Sequence, residues 1–135
     1  MPRLVRLAVP CLAFLFVACG SFGRLGPTPL DEGVIFYIHA DFVGSSQQVN
    51  SDVSDFGDVE GPCVVSSEDS STATWDDCIS SVRVLPGWRA TLYRDRNFKG
   101  ASIEVTEDIH DLKQMSGPCS GSFNDCASSI RVSRQ

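Results

Sequence analysis

The stretch YIHADFVG at residues 37–44 returns as YRDRNFKG at residues 93–100, so Tyr, Phe and Gly recur at fixed spacing. The two copies are offset by 56 residues, and the same offset aligns GPC at 61–63 with GPC at 117–119. Agreement of several residue types in the same order indicates an internal duplication. A repeat of this length organises the fold, because each copy forms one structural unit.

A second shared stretch lies near the end of each copy. WDDCISSVRV at 75–84 matches FNDCASSIRV at 123–132, with an offset of 48 in place of 56. The first copy therefore carries eight extra residues between Cys63 and Trp75. That insertion is rich in Ser, Thr and acidic residues, which is typical of a solvated loop.

Each copy consists of short runs of β-branched and aromatic residues, separated by Gly, Pro, Asp and Ser. Their alternation predicts strands, and only residues 109–115 favour a helical turn. We therefore expect an all-β protein with two Greek-key motifs that form one antiparallel sandwich domain over residues 33–135. Motif one spans 33–85 and motif two spans 89–135. The predicted strands are 33–39, 79–85, 90–94 and 127–133.

The charge of the chain limits the class of ligand. The 135 residues carry a formal net charge of −6 and give a pI near 4.7. Nucleic-acid binding is not expected, because it depends on positive side chains that neutralise phosphates. A cation is the more natural ligand. No nucleophile–base pattern, glycine-rich phosphate loop or zinc-protease motif occurs, so we expect no enzymatic activity.

The N-terminus has the layout of an export signal. Residues 1–19 combine two arginines with an apolar run that is too short to cross a bilayer as a helix. FVACG at 16–20 resembles a bacterial lipobox, which predicts lipidation of Cys19 and attachment to the membrane of a cell envelope. Ordinary cleavage after Gly20, followed by secretion, is the alternative. Residues 20–32 then form a flexible tether.

Two motifs, each present twice, resemble those of the βγ-crystallin family. They are Tyr-x-x-x-x-Phe-x-Gly at 37–44 and 93–100, and Asx-Asx-x-x-Ser-Ser as DDCISS at 76–81 and NDCASS at 124–129. The resemblance covers residues 34–133 and is strongest to the microbial calcium-binding branch. In that branch each calcium ion is held by loops from both motifs.

The resemblance implies two calcium sites in this chain. One would use Asp76, Asp77 and Ser128, and the other Asn124, Asp125 and Ser80. The main-chain carbonyls of Ile38 and Arg94, which follow the two hairpin tyrosines, would complete the ligand sets. Calcium prefers six to eight oxygen ligands, and the small number of carboxylates predicts micromolar to millimolar affinity. In the alternative interpretation, the same Asx and Ser side chains only cap turns.

Four cysteines remain after removal of the signal, and an exported protein permits disulfides. Four cysteines allow three connectivities, and the duplication favours the two equivalent pairs, Cys63–Cys78 and Cys119–Cys126. Loop entropy suggests about 3 kcal/mol for the fifteen-residue span and somewhat less for the other. A zinc site built from the four thiolates is the alternative, disfavoured because no CxxC pair occurs.

A different function remains open on the sequence alone. A disulfide-stapled binding or inhibitor module could use the loop at 64–74 to contact a protein or glycan partner, whose identity the sequence does not give. The basic cluster of Arg94, Arg96 and Lys99 in the second hairpin is interpreted as local charge balance on an acidic domain.

Overall fold

A computed structural model describes residues 31–64 and 73–135, and within them the protein consists of strands and short 3₁₀ turns. No helix in these residues is long and apolar enough to cross a membrane. The predicted signal at 1–19 with Cys19 lies outside the described residues, as do most of the tether and of the 64–74 loop. The strands are β1 (Val34–Tyr37), β2 (Ser46–Val49), β3 (Glu60–Val64), β4 (Ala73–Thr74), β5 (Ser81–Val84), β6 (Trp88–Asp95), β7 (Lys99–Val105), β8 (Ser116–Cys119) and β9 (Ser129–Arg134).

Strands β3 and β4 form a two-stranded sheet, and six other strands form two equivalent three-stranded antiparallel sheets, one for each copy of the repeat. The first has the order β2-β1-β5 and the second has the order β7-β6-β9. The first two strands of each sheet form a hairpin, and the last strand of the copy pairs on its other side. The duplicated sequence thus produces duplicated topology, and the expected all-β Greek-key architecture is confirmed.

In each half, the segment that follows the hairpin pairs with the last strand of the other half. Val53 of the first half forms an antiparallel bridge with Ile130 of β9, and Ile109 of the second half forms one with Val82 of β5. In each bridge both backbone N–H groups donate, over distances of 2.8 to 2.9 Å. Each sheet is therefore completed by the other half, so the two motifs interlock.

The repeated Tyr-to-Gly stretch folds into a compact corner at the tip of each hairpin. The Tyr37 and Phe42 rings lie 5.6 Å apart, and the equivalent rings of Tyr93 and Phe98 lie 5.9 Å apart. Gly44 ends the first corner with φ +87°, a left-handed conformation that glycine adopts without steric cost. The repeated Tyr, Phe and Gly therefore shape both corners in the same way.

Apolar side chains from both sheets fill the space between them. Phe36 contacts Phe56 and Trp75 in edge-to-face geometry, with ring centroids 5.3 and 4.8 Å apart. This preferred arrangement adds to the gain from burying the rings. The fully buried large side chains come from both halves, as expected of interlocked motifs: Phe36, Phe56, Ile79, Leu92, Leu112 and Ile130.

The two ends of the domain meet at one pole of the sandwich. Arg134 donates from Nη2 to Glu32 Oε1 over 2.8 Å, and the Leu85 N–H donates to the Gly33 carbonyl over 3.1 Å. The central strand β1 begins at this pole with Val34 and ends at Tyr37, about 10 Å away at roughly 3.3 Å per residue. The hairpin corners and the repeated Asx-Asx motifs lie toward the opposite pole.

The last strand of each half starts later than predicted. Strand β5 begins at Ser81 and β9 begins at Ser129, whereas the sequence favoured starts at residues 79 and 127. Ile79 and Ala127 are fully buried although they precede the strands. Their side chains therefore continue the apolar pattern through a loop, and this loop supplies the candidate ligands.

Candidate metal centre

One polar cleft gathers the predicted ligands of one calcium site. Ile38, Ser80, Asn124 and Asp125 line a cavity of about 470 Å³, which we call the Asp125 cleft. Ser80 Oγ donates a hydrogen bond to Asp125 Oδ1 over 3.3 Å, although the two residues are 45 positions apart. Residues from both halves of the repeat therefore meet in one site.

Backbone hydrogen bonds fix this convergence. The Ser80 N–H donates to the Tyr37 carbonyl over 2.9 Å, which places Ser80 beside the hairpin that carries Ile38. The Asp125 N–H donates to the Ile79 carbonyl over 3.0 Å and brings the second motif to the same place. The position of the site thus follows from main-chain pairing between the two motifs.

The other predicted site has the same backbone arrangement. The Asp77 N–H donates to the Ala127 carbonyl over 3.2 Å, and the Ser128 N–H donates to the Tyr93 carbonyl over 2.9 Å. These bonds place Asp77 beside Ser128 and next to Arg94. We call the site formed by Asp76, Asp77, Ser128 and Arg94 the Asp77 cleft, and Asp77 also lines the Asp125 cleft.

The second Asx of each motif has a left-handed backbone. Asp77 has φ +51° and Asp125 has φ +48°. Aspartate and asparagine are among the few residues with a side chain that adopt this conformation readily. The residue type at this position is therefore explained in part by the backbone, whatever the side chain binds.

The first Asx of each motif carries a buried oxygen with an open acceptor position. Within the described residues, Asp76 Oδ1 and Asn124 Oδ1 are buried without a hydrogen-bond partner. Such groups are rare in native proteins and call for a water molecule or an ion. Equivalent orphaned oxygens in both motifs fit a duplicated site for a cation.

Negative charge is concentrated where the two clefts adjoin. Burial raises the pKa of Asp77 above its usual value, and repulsion from Asp76 and Asp125 raises it further, while Arg96 acts in the opposite direction. Repulsion of this kind is relieved when a cation binds between carboxylates.

The donor set is suited to a hard cation. No group of three His, Cys, Asp or Glu side chains is placed to hold a metal anywhere in residues 31–64 and 73–135. A site here must therefore combine carboxylate and amide oxygens with hydroxyl and main-chain oxygens. Calcium accepts such mixed oxygen ligands, whereas zinc prefers sulfur and nitrogen.

Both predicted disulfides are present, and they join the two candidate ion loops to strands β3 and β8. Cys63 is bonded to Cys78 and Cys119 to Cys126, with Cα–Cα distances of 6.0 and 5.7 Å. Cys78 directly follows Asp77, and Cys126 directly follows Asp125. The alternative zinc site is wrong, because all four sulfurs are in disulfides. Such bridges are typical of extracellular proteins.

The sequence analysis missed the role of the last serine of each motif. Ser81 Oγ donates to the His39 carbonyl over 2.6 Å and accepts from the Phe42 N–H over 3.1 Å. Ser129 makes the equivalent bonds to Asp95 and Phe98, at 2.6 and 3.0 Å. Both hydroxyls hold their hairpin corner closed. The doubling of serine in the motif was the available signal.

The charge-balance interpretation of the basic cluster holds for its two arginines. Arg94 forms an ion pair with Asp95 at 2.8 Å. Arg96 reaches across the molecule, with Nε 3.1 Å from Asp55 Oδ1 and Nη2 3.3 Å from Asp76 Oδ2. Arg96 thus contacts a predicted calcium ligand of the Asp77 cleft, which the sequence analysis did not foresee.

Comparison with known proteins connects this architecture to two groups. The chain is 31% identical to spherulin-3A of Physarum polycephalum over 104 residues, which are 77% of this chain and 84% of that protein. A structure solved to trace the evolution of the eye lens βγ-crystallin domain fold superposes with a TM-score of 0.60 at 28% identity, covering 82% of this chain and 94% of the other. A βγ-crystallin domain from Flavobacterium johnsoniae gives 0.54 at 27% identity, covering 76% and 94%.

A match to a family model assigns the chain to a protein family. The model of peptidase inhibitor family I36 matches residues 36–106, which include most of the first motif, the connection to the second and the second hairpin. The solved relatives account for the two interlocked Greek-key motifs. With the βγ-crystallin fold, the chain belongs to peptidase inhibitor family I36.

Proposed function

We propose that this protein is an exported, non-catalytic module that binds calcium in the clefts between its two motifs. The observation that carries the proposal is the contact between Ser80 Oγ and Asp125 Oδ1, with the Ile38 carbonyl position and Asn124 on the same cleft. Hydroxyl, carboxylate, amide and main-chain oxygens from both motifs meet there. A hard cation would tie the motifs together.

The consequence of binding is stabilisation. An ion that binds only the folded domain adds RT ln(1 + [Ca]/Kd) to the free energy of unfolding, about 2.7 kcal/mol at a hundredfold excess over Kd. Each cleft has few carboxylates, so micromolar to millimolar dissociation constants are expected. Such affinities suit an environment outside the cytosol, where calcium is abundant. The proposed role is therefore a rigid module that tightens when calcium is present.

Thermal unfolding of chelated protein, with and without added calcium, tests this proposal. The wild type should melt several degrees higher with millimolar calcium, and Asp125→Asn should lose most of this increase. Asparagine tolerates the left-handed backbone of position 125, so the variant should still fold. An unchanged wild-type melting temperature would leave only the turn-capping interpretation of the motifs.

A matched control separates specific binding from general screening of acidic charge. Glu107→Gln removes the same charge from an exposed position outside both clefts. It should keep the full calcium response. Equal loss of response in both variants would mean that calcium acts on net charge and not in the Asp125 cleft.

Peptidase inhibition is a second candidate function, favoured by the match of the family model over residues 36–106. The loop at 64–74 was the predicted contact with a partner, and its residues 65–72 lie outside the described part of the chain. At its start Val64 is 65% exposed, a large apolar side chain suited to contact with another protein. The disulfide from the neighbouring Cys63 holds this end of the loop to the domain.

Residual activity of purified peptidases of different mechanistic classes, measured at increasing ratios of this protein, tests inhibition. A stoichiometric loss of activity in one class, abolished by replacing residues 65–72 with a short glycine linker, would support it. No loss in any class would remove this candidate and leave calcium binding unaffected.

Export and lipid attachment belong to the same proposal. Two disulfides support an oxidising location. Mass spectrometry of the mature N-terminus distinguishes a lipid-modified Cys19 from a free N-terminus produced by ordinary cleavage after residue 20. An uncleaved chain starting at Met1 would contradict both forms of export.

A further inference from the structure

The two clefts differ in one residue that carries a full positive charge. Arg96 lies in the second hairpin and contacts Asp55 and Asp76. Asp76 is the first Asx of the Asp77 cleft, so the guanidinium already neutralises one of its candidate ligands. The Asp76 side chain is only 13% exposed, which strengthens this electrostatic contact relative to a surface pair.

The pseudo-equivalent position in the other half is Ala40, by the repeat offset of 56 residues. The backbone confirms the equivalence. The Asn97 N–H, next to Arg96, donates to the Ser54 carbonyl over 2.7 Å, and the Asp41 N–H, next to Ala40, donates to the His110 carbonyl over 2.7 Å. Both hairpins are therefore anchored in the same way, but only one presents a guanidinium to its cleft.

We propose that Arg96 acts as a built-in cation that takes the place of calcium in the Asp77 cleft, so that the protein binds one calcium ion strongly, in the Asp125 cleft. This inference rests on the proposed calcium binding. It concerns the number and location of the ions. Arg96 thus limits the number of calcium ions that bind strongly to one, because its guanidinium is already paired with the carboxylate of Asp76.

The electrostatics of the two clefts support the difference. Arg96 forms ion pairs with both Asp55 and Asp76 and donates a hydrogen bond to Asp76, so moving it away would leave two carboxylates without their positive partner. A divalent ion is repelled twice as strongly as a monovalent one by the same fixed charge.

The Asp125 cleft also has a basic neighbour, but of a different kind. Lys113 lines this cleft, is exposed and forms no ion pair with any described residue. Its flexible stem lets the ammonium group move into solvent when calcium binds, at little cost. Lys113 therefore leaves the Asp125 cleft open to calcium, whereas Arg96 is held in place by two ion pairs.

Calorimetric titration of chelated full-length protein with calcium chloride tests the inference. The wild type should bind one ion, and Asp125→Asn should abolish this binding. Arg96→Ala should bind a second ion, with affinity for the Asp77 cleft improved by at least about tenfold. Arg96 is 57% exposed in its side chain, so this variant should fold.

Two further variants act as controls. Arg89→Ala removes an exposed arginine that pairs with Glu104 outside both clefts, and it should still bind one ion. Ala40→Arg transfers the guanidinium to the other half, where it faces Asn124 and Asp111. It should weaken binding in the Asp125 cleft.

The outcomes separate the inference from the proposed function. Two equal ions in the wild type, or one ion in both the wild type and Arg96→Ala, would overturn the inference and leave calcium binding intact. No binding in any variant would overturn both. As a readout without calcium, Arg96→Ala should unfold at a lower denaturant concentration than Arg89→Ala, because the two carboxylates that lose their partner, Asp55 and Asp76, are mostly buried, whereas Glu104 is exposed. Equal denaturant midpoints for the two variants would count against a stabilising role of the Arg96 contacts with Asp55 and Asp76.

Discussion

Adjacent serines of the first motif should have separable roles, one in stability and one in calcium binding. Ser81 is fully buried and makes two hydrogen bonds that hold the hairpin corner, where Phe42 has φ +60°. Ser81→Ala leaves the His39 carbonyl and the Phe42 N–H without this partner. An unsatisfied group costs about 1–3 kcal/mol. His39 is an exposed residue and Phe42 a partly exposed one. The low end applies, giving about 2 kcal/mol in total.

Ser80 has a different environment. It is also buried, at 7% exposure, but it lines the Asp125 cleft, and its Oγ makes one hydrogen bond, the 3.3 Å contact with Asp125. Ser80→Ala should therefore cost only about 0.5 kcal/mol in calcium-free protein. The same substitution removes a proposed calcium ligand. Ser80→Ala should lose most of the calcium-induced stabilisation, whereas Ser81→Ala should keep it.

Thermal unfolding in chelator and in millimolar calcium measures both effects. For a domain of about 100 residues, 1 kcal/mol corresponds to about 4–8 °C, so Ser81→Ala should melt about 8–16 °C below the wild type in chelator. Ser80→Ala should melt within about 4 °C of the wild type there. If Ser80→Ala were as unstable as Ser81→Ala without calcium, or kept the full calcium response, the separation of roles would be refuted.

Two other predictions concern the clefts and the disulfides. In the folded protein the pKa of Asp77 is raised, so folding favours its protonated form and its contribution to stability falls as pH rises above the ordinary value of 3.8. Asp77→Asn should therefore be more stable than the wild type in chelator at pH 7.5 and nearly equal at pH 4, by denaturant unfolding; a difference that grows toward low pH would contradict this. Replacing Cys63 and Cys78 by alanine should cost about 0.7 kcal/mol more than replacing Cys119 and Cys126, because the loops span 15 and 7 residues and each pair has one fully buried cysteine. Equal losses, measured in chelator, would show that loop length does not decide the contribution.

The duplication made most of the architecture predictable. Repeated residues such as Tyr37 and Tyr93 mark equivalent positions, so one half constrains the other. The same symmetry selected Cys63–Cys78 among the possible pairings. The exchange of segments between sheets, through Val53 and Ile109, was not predictable because local alternation of side chains does not reveal which distant strand a segment joins.

The identities of the candidate ligands could be predicted, because the Asx-Asx-x-x-Ser-Ser motif is recognisable in both copies. Their environment was not. Arg96 meets Asp76 across 20 positions, and only the folded hairpin shows that its guanidinium reaches the cleft. Likewise, Ser80 and Ser81 are the same residue type, and only the structure shows that one hydroxyl contacts Asp125 and the other the His39 carbonyl.

The first described residues and the last strand meet through Glu32 and Arg134, and this has a practical consequence. Anything attached before residue 31 or after Gln135 leaves the sandwich on the side away from both clefts. Coupling the protein to a sensor surface through either terminus should therefore keep the ion openings turned toward the bulk solution, free for exchange. A fusion partner at one terminus would likewise share its point of departure with a partner at the other, so a bifunctional molecule would display both on a single side.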